Sequence, residues 1–114
     1  MATMSKNARI LKELDKLRTL FHDLPQSKLD LCAKLIQNAA FMAVDLEDLQ
    51  EQIIKEGPVV ESTNGNGFLV KNEHPAQKSY NTMIARYTGL ISKLAEMLPP
   101  ETARSKLDAF LNGK

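Results

Sequence analysis

The stretch G-P-V-V-E-S-T-N-G-N-G-F-L-V-K-N-E-H-P-A, Gly57 to Ala76, is the part of this 114-residue sequence that lacks helical periodicity. Two β-favouring runs, Val59-Val60 and Phe68-Leu69-Val70, flank Asn64-Gly65-Asn66-Gly67. Asn and Gly enter positive φ at little cost, so the pattern predicts a β-hairpin over about residues 58–71. Gly57-Pro58 ends whatever helix precedes it, and Pro75 suits the first turn of a following helix.

Outward from this stretch, both flanks carry helical periodicity. Before it, after Pro25-Gln26-Ser27 and up to Glu56, the apolar positions Leu29, Cys32, Ile36, Ala39, Ala43, Leu46 and Ile53 step by three and four, with Gln50 out of pattern. Pro25 or Ser27 marks its start. A second line, Leu35, Met42 and Leu49, runs beside the first, so this helix should touch more than one neighbour. About 30 residues span roughly 45 Å, more than a short chain covers by itself. After the hairpin, Ala76, Tyr80, Met83, Tyr87, Leu90, Leu94 and Met97 repeat the register, and Ile84, Ile91 and Leu98 form a second line. The two segments should pair antiparallel. Gly89 within the second is expected to let a neighbouring helix approach closely.

Two shorter segments complete the chain. Residues 1–24 hold a basic amphipathic helix, about Ser5 to Phe21, with Ile10, Leu14, Leu17 and Phe21 on its apolar face. Pro100 opens a short C-terminal helix carrying Ala103, Leu107, Phe110 and Leu111. The expected fold is therefore mainly α: two long antiparallel helices joined by a β-hairpin, with a short basic N-terminal helix and a short C-terminal one. Residues 25–114 form the helical body.

Composition narrows the function. Residues 1–44 carry seven Lys/Arg against four acids, residues 45–61 six acids against Lys55, and residues 62–114 seven against four. A basic head, an acidic waist and a basic tail suit self-assembly or nucleic-acid contact, and equally suit ordinary solvated helix faces. One cysteine, Cys32, excludes an internal disulfide and reads as a buried small hydrophobe. Met1 to Lys16 is polar and charged, so no signal peptide is expected. No apolar run approaches the ~20 residues of a membrane span. These features point to a soluble protein of a reducing compartment.

Catalytic chemistry finds little support. His22 and His74 lack partner patterns, His22 reading as a residue compatible with a helix C-terminus and His74 as a cap or surface residue. The acids Asp45, Glu47, Asp48 and Glu51 lack calcium-loop spacing and read as a solvated face or a contact for a basic neighbouring subunit. No phosphate loop or nucleophile–base pair stands out, so neither a cofactor nor a metal is expected, and the chain reads as a non-enzyme. Lys6, Arg9, Lys12, Lys16 and Arg18 at the head, Lys71 on the hairpin, and Arg104 and Lys106 at the tail are the candidates for phosphate contact. Base-reading signatures are lacking.

Three motifs carry a family resemblance. I-I-K-E-G-P-V-V-E-S (Ile53–Ser62) ends the acidic helix, H-P-A-Q-K-S-Y-N (His74–Asn81) opens the next, and L-A-E-M-L-P-P-E-T-A-R-S-K-L (Leu94–Leu107) follows it. With the Gly65/Gly67 tip, the sequence over residues 26–107 resembles the small subunit of phage terminases of the helix–hairpin–helix type. The resemblance implies a non-catalytic component of a DNA-packaging motor in the bacterial host cytoplasm. Such a subunit assembles as a homo-oligomeric ring, binds double-stranded DNA and regulates a large ATPase/nuclease subunit. It implies no membrane partner. The second apolar lines, together with the hairpin, would then supply the oligomer interface: Leu35, Met42, Leu49, Phe68, Val70, Ile84 and Ile91. The sequence departs from many small terminases in lacking a recognisable N-terminal helix-turn-helix. The alternative is a helical protein–protein interaction module, a phage or bacterial adaptor without DNA binding.

Overall fold

A computed structural model describes residues 4–98. In order it contains α1 (Lys6–Leu20), α2 (Gln26–Glu56), β1 (Val59–Thr63), β2 (Leu69–Glu73) and α3 (Pro75–Ala95). This is the expected helix–hairpin–helix body with a short N-terminal helix. The expected C-terminal helix lies outside the described residues.

Each boundary has a local cause. Ser5 caps α1, its hydroxyl accepting from the Ala8 N–H at 3.1 Å. Pro25 stands immediately before α2, with Ser27 already inside it. Gly57 terminates α2 at φ 84, a backbone conformation that a Cβ would strain. At the hairpin tip the Gly67 N–H donates to the Asn64 carbonyl at 3.0 Å, and the Asn64 N–H donates to Phe68 O at 2.9 Å. Gly67 takes φ 83. This is a tight turn closed by a glycine bulge, and the Asn64 side chain accepts from the Asn66 and Phe68 N–H groups to hold it. The strands run past the expected end at residue 71, to Glu73.

His74 fastens the neck where hairpin meets helices. Its Nδ1 accepts from the Ala76 N–H at 2.9 Å, which caps α3 and assigns the ring proton to Nε2. Nε2–H then faces Glu56 Oε1 at 3.2 Å, at the end of α2. The His74 N–H donates to Pro58 O at 2.8 Å, and the residue is only 5% exposed. Of the two expectations for His74, cap or surface, the cap is realised and the surface is not.

α2 is the spine. α3 runs antiparallel along it, with Gln50 bonded to Tyr80 at 3.0 Å, and α1 runs antiparallel along another flank. Where both cover it lies a three-helix base: Leu14, Leu17, Phe21 and Leu24 from the α1 region, Cys32, Ile36, Ala39 and Ala40 from α2, Ile91, Leu94 and Leu98 from the α3 region. Alanines at 39 and 40 let helix axes approach closely. The gap left between Leu17, Leu20, Phe21, Ile91, Leu94, Ala95 and Leu98 is about 10 Å³, room for one water at most. Gly89 is not part of this packing: a Cβ there would meet nothing within 4 Å, so the expected close approach is not made among the described residues.

Toward the hairpin, α2 and α3 form a two-helix arm. α1 begins opposite Asp45 and Asp48, leaving Leu49, Ile53, Met83 and Ile84 half-buried and Ile54 85% exposed. The outline is correspondingly long, 61 × 34 × 23 Å, with a radius of gyration of 18.0 Å against about 13 Å for a compact domain of this size.

Truncating the base should cost far more than truncating the surface. Leu17→Ala should lose about 3 kcal/mol in urea unfolding, whereas Leu11→Ala, on the exposed face of the same helix, should stay within about 0.5 kcal/mol of the parent.

Candidate interaction surfaces

The basic head and the acidic waist are partners in one cluster. Lys6 and Arg9, three residues apart, share a face of α1 that lies over α2. Lys6 Nζ is 2.7 Å from Asp45 Oδ1 and 3.4 Å from Asp48 Oδ2. Arg9 reaches Asp48 Oδ1 with Nη1 at 2.7 Å and Glu47 Oε2 with Nη2 at 3.0 Å. The Lys6 ammonium also lies 5.7 Å from the centroid of the Phe41 ring, a cation–π contact. Two cations thus meet three carboxylates across an interhelix seam. Of the acidic run, expected to face solvent or a neighbouring subunit, Asp45, Glu47 and Asp48 receive the chain's own first helix, while Glu51 faces solvent as expected.

The electrostatics follow the geometry. The hydrogen bond from Arg9 holds the Asp48 carboxyl below its ordinary value of 3.8, and the bond to Asp45 holds the Lys6 ammonium above 10.5. Further into the base, burial pushes the Tyr87 phenol up to about 12, with Glu13 and Glu47 adding to the effect. Burial also raises the Cys32 thiol, consistent with the expected small hydrophobe rather than a reactive thiol.

The other candidate phosphate contacts scatter. Lys16 bonds Glu13 on its own helix at 3.2 Å. Lys12 and Arg18 are exposed, with no carboxylate bonded to either among the described residues. Arg18 borders a shallow groove of about 360 Å³ shared with His22, Gln26, Leu29, Asp30, Ala33 and Ile36. His22 stays exposed at the end of α1, its Nδ1 donating to the Thr19 carbonyl at 2.7 Å. Lys71 lies on β2 opposite Glu61. Arg104 and Lys106 lie outside the described residues. Among the described residues, no three His, Cys, Asp or Glu side chains are grouped to hold a metal ion. No described helix is long and apolar enough to cross a membrane.

The expected oligomer-interface residues divide sharply. Leu35, Met42 and Leu49 on α2 and Ile84 on α3 are half-buried along the helix pair. Phe68 is 69% exposed at the hairpin tip, and Val70 is half-buried. Ile91 must be removed from the set. It is 7% exposed and packs in the base with Leu17 and Phe21, because α1 lies across the second apolar line of α3. Periodicity within α3 alone carries no sign that α1 covers that line. Leu31, Phe41 and Leu69 are also exposed; Leu31 and Phe41 lie off the apolar registers of α2, and Leu69 alternates with the half-buried Val70 of its strand.

The sign of the linkage sets the pH range in which the cluster stabilises the fold. With the Asp48 value depressed, its contribution is full above about 3.8 and disappears as pH falls through the lower folded value. With the Lys6 value raised, its contribution persists below 10.5 and is lost as pH climbs through the folded value. Asp48→Asn should therefore lower the melting temperature at pH 7, by the equivalent of up to about 1 kcal/mol for exposed pairs of this kind. The difference should close toward pH 2 and shrink in 1 M NaCl, where the Debye length is about 3 Å.

Set against known protein families, curated proteins and solved structures, the chain matches none.

Proposed function

We propose that this chain is a non-catalytic, self-assembling subunit of the phage terminase small-subunit type, which binds double-stranded DNA and regulates a large packaging ATPase/nuclease in the bacterial cytoplasm. The observation that carries the reading is where the family-like motifs fall in the fold. Gly57 takes the positive-φ cap of α2, Gly67 the positive-φ bulge of the tip, and His74-Pro75-Ala76 the cap and first turn of α3. These residues of the first two motifs and the tip serve the helix–hairpin–helix geometry that the resemblance implies; Gly65 takes no positive φ, and the third motif lies mostly outside the described residues. The half-covered arm supports self-assembly, since a pair of helices bearing Leu49, Ile53, Ile54, Met83 and Ile84 leaves apolar surface for other copies.

DNA contact in this reading falls to Lys12 and Arg18, with Arg104 and Lys106, because Lys6 and Arg9 are held by the waist, Lys16 bonds Glu13 and Lys71 lies opposite Glu61. That same engagement favours the second reading, a helical protein–protein adaptor without DNA binding.

Duplex retention at low salt separates the two. Under the first reading the protein binds, and Lys12→Glu with Arg18→Glu reduces the slope of log affinity against log salt by about 2 while the fold persists. The absence of salt-dependent retention by the parent protein would leave the adaptor reading. Replacing Arg9 is the wrong experiment, since it dismantles the α1–α2 cluster as well.

A further inference from the structure

Among the described residues the hairpin pairs with no third strand, its one side-chain bond to a helix beyond the neck running from Asn81 to Glu73 at 3.4 Å, and its two edges have an unequal distribution of charge. Neither strand contains a fully buried residue, and Phe68 and Leu69 are 69% and 74% exposed. A two-stranded sheet of this kind is marginal in water, and its unpaired edges are a template for another strand. The ladder fixes which groups are unpaired. Asn64 bonds Phe68 and His74 bonds Pro58, and the register pairs Val60 with Asn72 and Ser62 with Val70. The even-numbered residues therefore point their backbone groups inward. The N–H and C=O groups of Val59, Glu61 and Thr63 face out along β1, and those of Leu69, Lys71 and Glu73 face out along β2.

We infer that the hairpin edges join copies of this chain head to tail, β2 of one copy pairing antiparallel with β1 of the next. This rests on the self-assembly part of the proposed function and names the surface and the register. Charge complementarity selects it. Setting Lys71 opposite Glu61 of the next copy aligns all three outward residues of each strand, Leu69 with Thr63 and Glu73 with Val59. It continues the Glu61–Lys71 pair of each hairpin into an alternating row. A fully overlapped two-fold pairing does the opposite: β1 on β1 places Glu61 against Glu61, and β2 on β2 places Lys71 against Lys71. Like charges directly opposite destabilise a sheet. The head-to-tail contact leaves one unlike edge at each end, so it propagates until it closes into a ring or continues as a filament.

Cysteine cross-linking in the full chain reads the pairing directly. Residues opposite each other on antiparallel strands have Cα atoms about 4.5–5.5 Å apart, within disulfide reach. Cys32 is fully buried and does not compete. Mixed Glu61→Cys and Lys71→Cys proteins should form a covalent dimer on mild oxidation, and neither protein alone should do so. Cross-linking by either protein alone indicates a two-fold contact and overturns the inference, as does an absence of cross-links in the mixture. Light scattering on the parent protein separates the two levels. A multimer without the mixed cross-link retires the hairpin contact and leaves self-assembly standing, whereas a monomer retires both. As a second variant, Glu61→Pro removes an outward N–H and leaves the inner ladder untouched; it should lower the multimer mass with helical content unchanged.

Discussion

A helix of 31 residues, about 46 Å long, needs cover along its whole apolar side, and the described residues do not supply enough of it. α3 offers 21 residues and α1 only 15. Both reach the N-terminal half of α2, and there side chains such as Cys32, Ala39, Leu17 and Leu94 are almost wholly removed from water. Beyond Asp48 the first helix has run out, and the apolar positions of the arm are half-wet. The elongated outline, the division into base and arm, and the case for self-assembly all follow from that shortage.

The charge pattern gains a different meaning once α1 is placed. Read along the chain, a basic head and an acidic waist suggest two separate surfaces, one for DNA and one for a neighbour. Folded, Lys6 and Arg9 lie on Asp45, Glu47 and Asp48, and the two blocks meet in one seam. α1 is therefore fixed at both ends by different physics: ion pairs at its start, and Leu17 and Phe21 in the base at its end. It is a structural member of the body, not a free basic arm.

What was legible in the sequence was what neighbouring residues determine. Gly57, Asn64 to Gly67 and Pro75 announce the hairpin and the helix ends, because caps and turns are set within a few positions. The three-four registers place α2 and α3 for the same reason. What was not legible was which faces meet. The second apolar line of α3 carries no mark showing that α1 lies across Ile91 and Leu98 while Ile84 stays half-covered. The pairing of Lys6 with Asp45, 39 positions away, depends on the angle of the α1–α2 turn, which the Phe21-to-Pro25 sequence does not spell out. His74 falls between the two cases. Its capping role follows from the adjacent Pro75, and its burial against Glu56 required the whole hairpin to close.

The order of contacts along the chain bears on how the fold is reached. α1 pairs with α2, β1 with β2, and α2 with α3, the next helix across the hairpin, while the meeting of Leu17 and Phe21 with Ile91 and Leu94 joins parts still further apart. Such wiring has low contact order, since most loops that must close are short and lose little chain entropy. Helical topologies of this kind fold in roughly microseconds to milliseconds. Within this wiring, the closing of the base over the ends of α1 and α3 is the contact between helices that are not neighbours in the chain.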